Sequence, residues 1–177
     1  MRRTPRLLAP PLLAALLLGG CTTPDPAPTP PHTTDAAPVF ASDEEALAAA
    51  EEAYGKYIAT VDAILNDGGA DPERLEPLVS TEVYTRELEG FRSYQEHGWR
   101  GVGSTSFALS LQGYNEANVT AYVCEDLSAT DVLDSTGASI TPTDRPTLYA
   151  FQIAIQFEGE PLLTSKEPWD SGGVCGA

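Results

Sequence analysis

Two periods of hydrophobicity divide the chain beyond residue 42. From Ala46 to Leu65 apolar residues return every three or four positions (Ala46, Leu47, Ala50, Tyr54, Tyr57, Ile58, Val61, Ile64, Leu65), the spacing that lays one stripe along an α-helix. Ser42 followed three residues later by Glu45 reads as a capping box at its start, and Gly68-Gly69 as its stop. Asp71-Pro72 predicts the cap and first turn of a short helix ending near Val79. Ser80-Thr81 then restarts a third helix, with Tyr84, Leu88 and Phe91 on one face and Gly98 at its end. From about residue 99 the period falls to two. Phe107, Leu109 and Leu111 alternate with Ala108, Ser110 and Gln112; the turn GYNEAN leads into VTAYVC; Tyr149, Phe151, Ile153, Ile155 and Phe157 alternate with Ala150, Gln152, Ala154 and Gln156; LLTSKEPW follows as a last strand. Between them, EDLSATDVLDSTGASI reads as an irregular stretch with a small hairpin around Asp134–Gly137. Helices first and consecutive antiparallel strands afterwards define an α+β fold class, with N-terminal helices packed on one face of the sheet.

The beginning of the chain follows neither period. Arg2, Arg3 and Arg6 precede an apolar run of about 14 residues that ends in Gly19-Gly20, the layout of a secretory signal. That run is broken by Pro10-Pro11 and is shorter than the roughly 20 apolar residues needed to span a bilayer. Leu18-Gly19-Gly20-Cys21 resembles a bacterial lipobox. The resemblance implies cleavage after residue 20, diacylation of Cys21 and attachment to the cell membrane on its extracytoplasmic side. An ordinary cleaved signal with an incidental cysteine is the alternative. Arg2-Arg3 leaves the general and twin-arginine export routes both open. Three cysteines are an odd number for an exported protein, and acylating Cys21 while bridging Cys124 to Cys175 accounts for all of them. The competing reading leaves Cys124 and Cys175 as two buried thiols.

Residues 21–41 contain six prolines and predict an extended stalk reaching up to roughly 60 Å at about 3.1 Å per residue. His32 lies in it, alone and without the company a metal ligand needs. Residues 42–177 are left for one α+β domain. Removing residues 1–20 takes away three arginines and no acid, moving the formal net charge from −16 to about −19. A surface so acidic repels nucleic acid and anionic lipid, so attachment to the membrane falls to the acyl chains on Cys21.

Candidate chemistry is sparse. Tyr54, Tyr57, Tyr84, Phe107 and Phe151 are the aromatic residues that would line a pocket between helices and sheet, although residues on such stripes are more often core. His97 falls in a helix's last turn, where its charged form suits the dipole. Glu125, Asp126, Asp131 and Asp134 gather within ten residues but lack the alternating acids and central glycine of a calcium loop, so no metal is expected there. Gly101-Val102-Gly103-Ser104 lacks the lysine and following helix of a phosphate loop. No cofactor is implied.

The order of elements, with the third helix ending in HGWRGVGS, resembles the cone-shaped, cystatin-like nuclear transport factor two-like fold. More narrowly, His97–Ser104, VCEDLSATDVLDSTG (123–137) and Cys175 resemble stretches of actinobacterial lipoproteins that carry such a domain, a family largely without assigned activity. The short strand that the wider fold often inserts between its helices has no counterpart in the pattern. Enzymes of this shape need a carboxylate or histidine inside the cone with a donor for the developing oxyanion, and the strongest strand offers no acid before Glu158. The resemblance therefore implies a lipid-anchored, non-catalytic domain that binds a small ligand or protein partner. It also implies a homodimer through the polar sheet face that would carry Tyr122, Gln152 and Gln156. The alternatives are a cone-pocket isomerase or hydrolase, and a phage-encoded lipoprotein that blocks superinfection.

Overall fold

The computed structural model describes residues 39–170 and 173–176, all within one compact unit, Asp35–Ala177. The signal segment, Cys21, His32 and all but the last residues of the stalk lie outside them.

Helix α1 spans Asp43–Asn66. The Ser42 hydroxyl accepts the Glu45 amide at 3.2 Å, and the Glu45 carboxylate accepts the Ala41 amide at 2.8 Å, closing the predicted box one residue further back. Its buried stripe is Ala46, Ala50, Tyr54, Tyr57, Ile58 and Ile64. The stalk ends earlier than its composition implies. Phe40 is buried edge-on against Tyr114 and Phe157 at 5.8 and 5.0 Å, a contact worth roughly 2 kcal/mol or more in burial alone. The fold thus begins by residue 40 rather than 42.

The predicted short helix is a 3-10 helix, Pro72–Leu78. Pro77 inside it has no N–H to give to an α-helical bond. Asp71 makes no side-chain cap but takes a left-handed φ of 50°. Val79 then bridges Leu163 in parallel, a single residue of pairing. Helix α2, Thr81–His97, is capped by the Ser80 hydroxyl and ends at Gly98 with φ of 65°. Val83 and Phe91 are its buried residues.

The strands sort into two sheets. Strands β2 (Ser106–Tyr114), β3 (Asn118–Asp126), β5 (Leu148–Gln156) and β6 (Leu162–Pro168) form an antiparallel meander in the order β2-β3-β5-β6. Register shifts at Leu111/Gly113 and Ala154/Ile155 mark bulges, which bend a sheet. Strands β1 (Arg100–Val102) and β4 (Asp131–Leu133) pair separately, in the region the sequence pattern leaves irregular. Val119, Ala121, Val123, Ile153, Ile155 and Leu163 carry the inner face of the meander into the core against α1. Alternation puts Cys124 on the outer face, where it is bonded to Cys175. The bridge spans 51 residues of sequence, a closure worth about 4 kcal/mol in the chain-entropy account. Beside it Trp169 lies 4.7 Å from Tyr122, holding the last residues against the sheet.

Candidate functional site

Four of the five candidate pocket residues meet at one place under α1, around charges the sequence reading missed. Tyr54 and Tyr57 point inward from consecutive turns, their rings 5.3 Å apart. Phe107 of β2 meets the Tyr54 ring edge-on at 5.2 Å, and Phe151 of β5 lies 4.4 Å beneath the Lys166 ammonium. Tyr84 stands elsewhere, half-buried on the margin of the core. At the centre is Glu125, 6% exposed and the only buried polar or charged residue among the described ones.

Its carboxylate accepts the Tyr54 hydroxyl at 2.5 Å and pairs with the Lys166 ammonium at 2.8 Å. Lys166 also donates to the Tyr57 hydroxyl at 3.2 Å, and that hydroxyl donates to Glu87 on α2 at 2.7 Å. The result is a chain of alternating donors and acceptors from β3 to β6 to α1 to α2. Burial, reinforced by Glu125, pushes the Tyr54 phenol far above its usual range; burial and Glu87 do the same to Tyr57. Both phenols are therefore fixed as neutral donors. No buried side-chain polar atom among the described residues is left without a partner, and on Glu125 both contacts fall on one oxygen, Oε1.

The four acids of residues 125–134 do not act together. Glu125 turns into the core instead of standing in a solvated loop. Asp131 is held below the usual carboxylate range by hydrogen bonds from Thr141 and Ser139, and Asp134 by bonds from Thr136 and Ala138. Asp134 thereby closes the predicted hairpin, with the Gly137 amide donating to its carbonyl at 3.0 Å. Among the described residues no group of three or more His, Cys, Asp or Glu is placed to hold a metal ion.

Open polar and aromatic groups collect instead where β1 pairs with β4, which joins the two stretches 97–104 and 123–137. A groove of about 550 Å³ runs there between the ends of α1 and α2 and the 134–137 hairpin. Trp99 forms part of its wall, stacked on His97 at 4.3 Å and edge-on to Tyr94 at 6.0 Å. Arg100, Asp134 and Gln95 complete the lining with polar groups. The His97 ring meets the Ser93 carbonyl at 2.8 Å, a helix-end role as its position predicts. On the outer sheet face Tyr122 and Gln152 are register partners. Gln152 donates to Gln112 across β3 at 2.8 Å, and Gln156 to Glu158 at 3.0 Å.

No family model matches the chain, and no curated protein matches it. Among solved structures it is similar to the crystal structure of the intermembrane space region of the chloroplast protein ARC6, with a TM-score of 0.51 and 12% identity over 71% of this chain and 97% of that one. At that identity the likeness is one of fold, helices laid on an antiparallel sheet.

Proposed function

We propose that this chain is a lipid-anchored, extracytoplasmic binding domain that holds a small ligand or protein partner without transforming it. The observation that carries the reading is the enclosure of Glu125, 6% exposed, with the Tyr54 phenol and the Lys166 ammonium both on its Oε1. A general base must reach a substrate proton, and Glu125, Tyr54 and Tyr57 do not line the Trp99 groove or the hollows beside α1. The groups left open to solvent suit recognition, in the Trp99 groove and on the outer sheet face with its Tyr122, Gln152 and Gln112. The Cys124–Cys175 bridge supports residence in an oxidising compartment, and the lipobox-like run before Cys21 supports an acyl anchor there. Fractionation of cells producing the protein tests this. The Cys21 form is expected in the membrane fraction and Cys21→Ser outside it; identical fractionation of the two overturns the anchor.

One observation favours the cone-pocket enzyme as second reading: a buried carboxylate beside a tyrosine hydroxyl is the pair such chemistry uses. A phenol titration followed by the NMR shifts of Tyr54 and Phe107 separates the two. Spectra unchanged at millimolar phenol support the closed core, and saturable shifts support the enzyme.

A further inference from the structure

Strand β2 is an edge of the meander, and it is nine residues long. Its only strand partner is β3, and among the described residues no backbone hydrogen bond reaches it from a turn, loop or cap. Exposed sheet edges are normally blunted by charge or proline because their free N–H and C=O groups recruit other chains. SFALSLQGY contains neither, and its bulge falls after Leu111, beyond the regular stretch Ser106–Leu111. The opposite edge differs: β6 receives the Ser80 amide at its Leu163 carbonyl and the Arg86 guanidinium at its Lys166 carbonyl.

The free edge also borders two hollows on the helix side of the sheet. One, of about 360 Å³, lies where Gly55, Ala59 and Asp62 of α1 face Phe107. The other, of about 440 Å³, lies where Asp43, Glu44 and Leu47 face Leu111 and Tyr114. Phe107 and Leu111 are four strand residues apart, about 13 Å. A strand added to this edge would send alternate side chains to the helix side, so residues i and i+4 would meet the two hollows. The absence of a side chain at Gly55 keeps the first one open, since a Cβ there would touch the Phe107 ring at 3.6 Å.

Charge selects the occupant. The wall that α1 presents carries Asp43 and Glu44 at one hollow and Asp62 at the other, and helical spacing puts Glu51 on the same stripe between Leu47 and Gly55. Its one nearby base, Lys56, is paired with Glu52. A second copy joined antiparallel through β2 would set this acidic wall against itself, on a chain of formal net charge −16.

We propose that β2 is a docking edge for an extended, basic segment of a partner protein, which adds a fifth strand to the meander and seats two bulky apolar side chains, four residues apart, in the hollows flanking α1. Main-chain hydrogen bonds supply the affinity of such strand addition, and the hollows supply the choice of sequence. The inference rests on the binding reading above and names its partner.

The test uses the full chain in mild detergent and a nine-residue synthetic peptide with leucines at positions 3 and 7, lysines at positions 1, 5 and 9 on the same helix-facing side, and threonines between them. Its controls are the same peptide with glutamate for lysine and the same peptide N-methylated on alternate amides. Hydrogen exchange of the protein backbone is the readout. The basic peptide is expected to slow exchange across 106–114 at least tenfold, and less so at high salt, while neither control does. Ala59→Trp, which fills one hollow from an exposed position, and Glu51→Lys should each weaken binding tenfold or more without changing exchange in β3 and β5. No protection at millimolar peptide, equal protection by either control, or β2 already protected in a free protein of dimeric mass overturns the proposal. Protection by the peptide at the outer sheet face or the Trp99 groove would sink the docking edge and leave the binding reading standing.

Discussion

Glu125 and Lys166 set opposite charges 2.8 Å apart with side chains only 8% and 14% exposed. Removing one member of such a pair strands the other, at a cost of about 3–5 kcal/mol, whereas replacing both with apolar residues is often neutral. Glu125→Leu should therefore lower the unfolding free energy by about that amount, and Glu125→Leu with Lys166→Met should recover most of it, as read by chemical denaturation. A double variant no better than the single one would mean that Tyr57 and Glu87 hold Lys166 as firmly without its carboxylate. Tyr54→Phe keeps the ring packing on Phe107 and loses one hydrogen bond to a charged acceptor, about 1.5–3 kcal/mol. Of the two charged residues only Glu125 is half-visible in the sequence. Glu125 continues the inward parity of Val119, Ala121 and Val123, but it is lost when the strand is ended at Cys124. Lys166 is not legible at all. Simple alternation from Leu163 would send Ser165 and Glu167 inward, and the bulge that leaves Thr164 unpaired shifts the parity so that Lys166 faces the core opposite Ile153.

Elements declared by their own neighbours were the ones the sequence announced. The caps at Ser42 and Ser80 and the stop at Gly98 need only a few adjacent residues, and all three stand where the pattern puts them. The β1–β4 pair joins residues some thirty positions apart through strands of three residues each, too short to show a period, so nothing local could reveal it. Its geometry makes two predictions. Gly103 closes the turn after β1 with φ of 86°, and a Cβ there would collide with the Ala129 carbonyl. Gly103→Ala should cost at least 1–3 kcal/mol and broaden the NMR signals of residues 100–104 and 129–133 first. The hairpin after β4 should be acid-sensitive. Asp131 and Asp134 bind protons less readily when folded, because their carboxylates accept hydrogen bonds from the loop. The stability they add is present above the ordinary carboxylate value, about 4, and is lost as the pH falls through their lowered values. The protection of the Thr136 and Ala138 amides, taken relative to their intrinsic exchange rates, should therefore fall below about pH 4 before the main sheet responds; simultaneous loss would contradict it.

For the whole molecule, acidity and the bridge set the terms. With a net charge of −16, self-repulsion opposes compaction and is relieved by ions within a Debye length of about 10 Å at 0.1 M. Raising salt from 10 to 500 mM should raise the midpoint of thermal unfolding. The bridge works the other way round, by confining the unfolded chain. Cys175→Ser should cost about 2–4 kcal/mol and free Trp169 from Tyr122, visible as a red shift in tryptophan emission. The outer sheet face, the Trp99 groove and the bare β2 edge are the parts of this acidic surface suited to a partner, and the proposed acyl anchor would decide which partners can reach them. Intact-mass spectrometry of the protein extracted from membranes tests that account most directly. It predicts a chain beginning at an acylated Cys21 and lighter by the two hydrogens of the Cys124–Cys175 bridge. A chain that keeps residues 1–20, with Cys21 unmodified and all three thiols free, would contradict it.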